Sequence, residues 1–248
     1  MIPLLEPDWS APARVRAAFS LRSGGASSPP WDTLNLGVHV GDDPAAVAEN
    51  RRRLANALQL PAEPVWLDQV HGSEVFDIDR QGPPPAGHRP RADAIVTRSG
   101  GVVLAIQVAD CLPVLFSSDD GAVLGAAHAG WRGLAAGVLE ATLRAMDVPA
   151  SRLNAWLGPC IGPAHFEVGD EVRAAFIESQ ADAEAAFSAN PRGRWQCDLP
   201  LLARGRLAAL GVTATAGGQW CTAADPVRFF SHRRDQRTGR MAALLWRD

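Results

Sequence analysis

The stretch AIVTRSGGVVLAIQVADCLPVLFSSDDGAVLGAAHAGWRGLAAGVLEATLRAM, residues 94–146, decides the fold class. Within it, Ala94 to Thr97, Val102 to Val108, Pro113 to Ser117 and Ala122 to Ala127 are short apolar runs separated by polar or glycine turns. Such runs read as strands of a sheet. From Gly130 to Met146 the period changes: Leu134, Val138, Leu139 and Leu143 share one helical face. The same reading extends outward, with strands at Val15 to Phe19, Val65 to Val70 and Glu74 to Ile78. Asp43-Pro44 opens a helix that runs to Leu60, with Asp as cap and Pro at the first helical position. Downstream, Asn154 to Leu157 is a short strand and Val168 to Gln180 and Leu199 to Leu210 are helices. Val212 to Ala216 and Ala242 to Trp246 are late strands. These elements lack the alternation of a Rossmann or barrel protein. The expected class is α/β, a layered sandwich with mixed β-sheets, in a single domain over residues 1–248.

Composition narrows the chemistry. All 24 basic residues are arginine, and neither lysine nor tyrosine occurs. That excludes a phosphate-loop lysine, a Schiff-base lysine and any tyrosine acid or base. Net charge is −3, and the arginines cluster only at Arg51-Arg52-Arg53 and Arg233-Arg234, so no basic stripe follows a phosphate backbone. Nucleic acid is not an expected partner. The longest apolar run, Val102 to Phe116, is broken by Gln107 and Asp110 and is too short for a bilayer. The opening Met1 to Asp8 lacks the charge and apolar run of a secretory signal, so the expected location is cytoplasmic. Cys111, Cys160, Cys197 and Cys221 are widely spaced and read as free thiols.

Three segments place a soft ligand at the end of an apolar strand: Asp68-Gln69-Val70-His71-Gly72, Ala109-Asp110-Cys111-Leu112-Pro113 and Ala127-His128-Ala129-Gly130-Trp131-Arg132-Gly133. Cys111 follows His71 by 40 residues and precedes His128 by 17, which are not zinc-finger spacings. Catalytic zinc, by contrast, collects three ligands from separate elements and leaves a fourth position open. Spacing alone leaves three readings: unconnected core residues, a catalytic metal site, or a Cys111/His128 nucleophile and base pair.

Read together, these segments and several others resemble the bacterial laccase-domain family. The others are Phe19-Ser20-Leu21-Arg22-Ser23-Gly24-Gly25, Leu34-Asn35-Leu36-Gly37-Val38-His39-Val40-Gly41-Asp42-Asp43-Pro44, Phe166-Glu167-Val168-Gly169 and Phe229-Phe230-Ser231-His232-Arg233-Arg234-Asp235. The family is also called multicopper polyphenol oxidase, or purine nucleoside phosphorylase of the polyphenol-oxidase type. The resemblance implies one zinc held by His71, Cys111 and His128. It implies cleavage of adenosine, inosine and methylthioadenosine with phosphate, together with deamination of adenosine. Copper is the alternative metal. Multicopper oxidation needs several His-rich sites, and six dispersed histidines supply at most one. Deamination would not follow the nucleic-acid deaminases, because their His-x-Glu and Pro-Cys-x-x-Cys motifs are absent.

Roles for the neighbours follow from that chemistry. Asp110 could orient a ligand histidine or shuttle protons, or simply accept strand-end hydrogen bonds. Arg132, at a glycine-flanked helix start, is the first choice for phosphate, against a surface salt bridge. Arg22 and Arg233 are second choices, against solvated arginines. Asn35 and Gln69 could read a base or ribose edge, though turn-forming roles explain them as cheaply. Trp131 could stack on a purine or serve packing, and His232 reads either as a support behind the residues that touch the substrate or metal, or as merely structural. Partners are then purine nucleosides and phosphate, with oligomeric state open. The rivals are a cysteine hydrolase or amidase using Cys111 and His128, a copper-dependent polyphenol oxidase, and a binding or editing role in cell-wall assembly.

Overall fold

The computed structural model describes residues 2–178 and 181–248. Its strands form three sheets. A four-stranded sheet has the order β1 (Leu4–Leu5), β2 (Val15–Ser20), β13 (Met241–Arg247), β5 (Leu104–Val108) and is antiparallel throughout. A six-stranded mixed sheet runs β12 (Ala214–Gly217), β8 (Leu153–Leu157), β6 (Leu112–Ser118), β7 (Leu124–Ala129), β4 (Ala94–Thr97), β3 (Val75–Asp77). Its two outer pairs are parallel and its inner pairs antiparallel. A small antiparallel sheet joins β10 (Phe187–Ala189), β11 (Trp195–Cys197) and β9 (Glu167–Val168).

Period-2 alternation stacks the layers. In β5 and β13, Ile106, Val108, Met241, Ala243 and Leu245 meet Leu115, Ala126 and Trp156 from the six-stranded sheet. Their neighbours Ala105, Ala242 and Leu244 turn the other way, onto Leu54 of helix α1 (Pro44–Leu58). On the far side, Val114, Phe116, Ala127 and Leu157 pack against helices α4 (Val138–Met146), α5 (Asp170–Ile177) and α6 (Leu199–Ala209). The order is helix, sheet, sheet, helices: the layered α/β class expected, with no closed barrel. Each large side chain buried this way contributes roughly 1.5–3 kcal/mol. A one-residue slip of β6 would exchange its two faces, so burial fixes the register that the site depends on.

Local signals held where they were strong. Asp43 caps α1 by accepting from the Ala45 N–H, and Asp198 caps α6 by accepting from Leu201 N–H. The single helix expected from Gly130 to Met146 is two, α3 (Trp131–Ala135) and α4, because Gly137 takes a left-handed turn at φ 86° between them. Only a residue without Cβ takes that conformation at little cost, so the chain bends there. Val65 to Val70 is not a strand; it touches its neighbours through single bridges at Val65 and Asp68. The helix expected from Val168 starts at Asp170, because Glu167 and Val168 pair with β11; its expected end at residues 179–180 lies outside the described residues. A short helix α2 (Ile78–Gln81) had no clear sequence signal, and α7 (His232–Asp235) is one turn capped by Ser231. No helix among the described residues is long and apolar enough to cross a membrane.

Candidate metal centre

Register brings the expected ligands together. Pairing of β4 with β7 sets Ala94 against Ala127, and pairing of β6 with β7 sets Pro113 against His128. Asp93, just before β4, and Cys111, just before β6, therefore flank His128 at one end of the sheet. His71 arrives on the loop before β3, at the left-handed φ of 63°, and Asp110 turns the chain into Cys111 at φ 87°. Two non-glycine residues in that sparsely populated region, both at the same spot, mark backbone held against its preference.

Ligand atoms of His71, Cys111 and His128 all lie within 4.8 Å of one another. The Cys111 Sγ is 3.8 Å from His71 Nε2, and the two imidazoles meet edge to face with centroids 4.8 Å apart. Zinc bonds of ~2.3 Å to sulfur and ~2.05 Å to nitrogen, at a tetrahedral angle, separate such atoms by ~3.6 Å. The donor set and its spacing fit a zinc ion held by one thiolate and two imidazoles. It is the one such His, Cys or carboxylate cluster among the described residues.

Charge in the cluster favours the ligating form of the thiol. Burial pushes the Cys111 thiol up, but His128 and His71 together pull it down to about 6. Burial pushes His128 down, while the Cys111 thiolate and the Asp93 carboxylate raise it to about 9. Without metal, the two form a thiolate–imidazolium pair. The other buried thiols move the opposite way: burial pushes Cys197 up to about 12 and Cys160 well above the ordinary range. All four cysteines are unpaired.

Asp93 hydrogen-bonds both histidines of the cluster, and Asp110 is bonded elsewhere. The buried Asp93 carboxylate accepts His128 Nδ1–H at 2.8 Å and the backbone N–H groups of Val70, His71 and Gly72 at 3.1, 2.9 and 2.7 Å. Asp110 instead accepts the Thr222 hydroxyl and the Arg233 backbone N–H, each at 2.6 Å. That corrects the orienting role considered for Asp110, which ties the loop after β12 and the start of α7 to the cleft. The sequence carried one signal for Asp93: a carboxylate directly before the apolar run Ala94 to Val96 cannot be buried without partners.

Gly130 makes room for the cluster. Its backbone, at φ −61° and ψ 161°, suits any residue, but a Cβ there would lie 2.8 Å from Cys111 Sγ and 3.3 Å from His71 Cδ2. Space, not conformation, demands glycine. We expect Gly130→Ala to fold and to bind zinc about ten-fold or more weakly, as substitutions behind metal ligands do. Chelator competition measures this; unchanged affinity would show that the sulfur has room to move.

A cleft of about 170 Å³ opens over His71 and Cys111, and Asp110, Trp131, Arg132, Phe166, His232 and Arg233 line it. Arg132 lies 4.4 Å over the Trp131 ring, and no carboxylate pairs with it among the described residues. Arg233 stacks 5.2 Å over Phe166 and donates to the Glu167 carbonyl. His232 donates Nδ1–H to the Gln236 carbonyl, and Nε2 has no hydrogen-bond partner among the described residues. Ile161, Phe166 and Leu199 line the cleft although sequence reasoning gave them no site role, and His232, considered only behind the site or as structural, lines it too.

Three expected contacts are not brought to the cleft. The Arg22 guanidinium is held by the Asp32 and Pro226 carbonyls and lies over Phe230. Asn35 is buried and shared among Gly37, Asp42 and Arg240. Gln69 pairs through both amide atoms with the backbone of Gln107. Asn35 and Gln69 are consumed by the turn or strand they hold, the turn-forming or backbone-bonding alternative given for them, whereas Arg22 is not the solvated arginine of its alternative but is held by carbonyls.

The family model of the multi-copper polyphenol oxidoreductase laccases matches residues 16–248. The chain belongs to this laccase family. Within it, the chain is similar to a purine nucleoside phosphorylase of Pseudomonas aeruginosa, 55% identical over 98% of this chain and 97% of that one. The purine nucleoside phosphorylase YfiH of Escherichia coli is 50% identical over 99% of both. Among solved structures, a Neisseria meningitidis protein superimposes with a TM-score of 0.93 at 44% identity, covering 99% of each chain. YlmD of Geobacillus stearothermophilus does so at 0.86 and 34%, covering 95% of this laccase-family chain and 92% of its own.

Proposed function

We propose that this laccase-family chain is a zinc-dependent purine nucleoside phosphorylase. It acts on adenosine, inosine and methylthioadenosine with phosphate, and it also deaminates adenosine. The observation that carries the reading is the His71, Cys111, His128 set, of which His71 and Cys111 open onto a cleft walled by arginine and aromatic side chains while His128 lies buried behind them. The names of the Pseudomonas and Escherichia relatives support the phosphorylase activity. His71, Cys111 and His128 would hold the zinc, which would supply Lewis acidity when bound.

The chain's own groups divide the remaining work. Arg132, with no carboxylate competing for it, grips phosphate, and its stacking on Trp131 holds the guanidinium plane in place. In phosphorolysis a phosphate oxygen bonds to the ribose C1′ as the bond to the purine nitrogen breaks. The electron pair leaves with the base, which takes up a proton. His232 Nε2 is the uncommitted group that can manage that proton. Asp110 holds the Arg233 backbone and so places a second cation on the cleft wall. Trp131 and Phe166 offer flat apolar faces to the purine. Nucleoside and phosphate are the partners, and four unpaired thiols favour a cytoplasmic setting.

Metal analysis of purified protein, paired with product analysis of adenosine with and without phosphate, tests the reading. The expected result is about one zinc per chain, ribose 1-phosphate and adenine when phosphate is present, and inosine when it is absent. No turnover in a zinc-replete preparation would overturn it. Copper oxidation of phenols would need more than the single cluster found among the described residues, so copper is read as a substitute ion.

One observation favours a second reading: the Cys111 and His128 pair has the charge state of a cysteine nucleophile and its base. Alkylation separates the two. Metal-free protein should lose Cys111 to iodoacetamide with a rate that rises with pH through about 6, because the thiolate is the reactive form. Zinc-loaded protein should be protected. Equal reactivity with and without zinc would favour the nucleophile.

A further inference from the structure

We infer that Asp93 is the positioning residue of the metal centre, setting both the nitrogen that His128 offers and the backbone that presents His71. The inference rests on the zinc reading above and deepens it.

One carboxylate meets four donors here. Oδ1 accepts from His128 Nδ1 at 2.8 Å and from His71 N–H at 2.9 Å; Oδ2 accepts from Val70 N–H at 3.1 Å and Gly72 N–H at 2.7 Å. The two histidines are thus held in different ways. Accepting a hydrogen bond from Nδ1–H of His128 keeps that proton on Nδ1, so that Nε2 is the nitrogen left to give up its proton and turn its lone pair to a metal. Three successive N–H groups converging on the same carboxylate hold His71 at its left-handed φ of 63°. That backbone would relax toward the extended region without them. The Asp93 carbonyl also accepts the His128 backbone N–H at 2.7 Å, which locks strand and side chain together. Both histidine ligands are therefore in place before a metal arrives.

An amide cannot replace this carboxylate. In one orientation of an Asn at this position, its NH₂ faces the N–H groups of Val70 and Gly72, donor against donor. In the other, it faces His128 Nδ1, which must then accept, leaving a proton on the Nε2 that should ligate. Either orientation disorders one histidine ligand. Cys111 is not among the hydrogen-bond partners of the Asp93 carboxylate and should keep its place.

The test compares wild-type and Asp93→Asn proteins by zinc competition and by cobalt substitution. We expect zinc affinity to fall about ten- to hundred-fold in the variant. The cobalt d–d bands should change, while the thiolate-to-cobalt charge-transfer band persists. A folded variant with wild-type affinity and d–d bands would overturn the inference. So would a variant that loses only metal-free thermal stability, since that marks a mere loop anchor. If the variant does not fold, long-range ¹⁵N–¹H correlation on zinc-bound wild-type protein decides. His128 should carry its proton on Nδ1 and zinc on Nε2, and zinc on Nδ1 would overturn the assignment. Wild-type protein that takes up no zinc sinks the zinc reading and this inference together. Wild-type protein that loads zinc, matched by Asp93→Asn, sinks Asp93 alone.

Discussion

Replacing Cys111 with alanine should empty the metal centre and abolish turnover, while substitution of any other cysteine should leave metal content near that of the wild type. In the proposed zinc site Cys111 is the only anionic group of the three: burial pushes its thiol up, but the adjacent histidines draw it down to about 6. Structural zinc sites with four ligands bind with ~10–16 kcal/mol, so one ligand accounts for roughly a quarter of that. Its loss should weaken zinc by roughly a hundred- to thousand-fold. The control substitutions act elsewhere. Cys160 and Cys197 are buried with raised thiols, and their removal should lower stability through lost packing without touching zinc. Cys221 accepts the Gly162 N–H and belongs to a loop, not to the ligand cluster. Elemental analysis of all four variants after identical loading reads the result. Equal metal loss across the four would remove Cys111 from the ligand set.

Arg132→Met should raise the Michaelis constant for phosphate by roughly ten- to hundred-fold, because a charge-assisted contact is worth ~1.5–3 kcal/mol. Methionine keeps the bulk over Trp131 and removes the charge. The arginine has no carboxylate partner among the described residues, so no buried ion is stranded by the change and the fold should tolerate it. Deamination consumes water instead of phosphate and should be largely spared. Steady-state kinetics with phosphate varied, beside deamination of adenosine without phosphate, separates the outcomes. Equal loss of both activities in a folded, zinc-replete variant would mean that Arg132 places the nucleoside instead. In that case Arg233, the other arginine on the cleft wall, becomes the phosphate candidate.

The single-cluster geometry also bears on the family's name. A protein matched by a multi-copper oxidoreductase model carries, among its described residues, one cluster of two imidazoles and a thiolate. Electron transfer between coppers requires several sites in reach of one another. The cleft offers instead what a nucleoside and an anion require: flat apolar faces, two arginines and an uncommitted imidazole nitrogen.

The sequence by itself determined the strand and helix inventory wherever the signal was local. Asp43-Pro44 and Asp198 capped their helices because a side-chain oxygen two or three residues before a free N–H needs no help from the rest of the chain. The apolar runs Val102 to Val108 and Ala242 to Trp246 were legible as strands because both faces of those strands meet apolar layers, which calls for apolar residues at nearly every position. The soft ligands His71, Cys111 and His128 were legible as candidates from their strand-end settings. Their union was not, because 40 and 17 residues separate them and spacing left three readings open. Only the tertiary structure decided that β4, β7 and β6 lie side by side in the register that joins Asp93, His128 and Cys111. It also decided against Arg22, Asn35 and Gln69 as cleft residues. Their polar atoms were spent on backbone groups that folding had buried, and a buried carbonyl or N–H claims the nearest partner. Asp93 went unread for the same reason from the other side. A carboxylate's role is set by the donors around it, and here they come from residues 70–72 and 128, brought together by a sheet whose order no local pattern specifies.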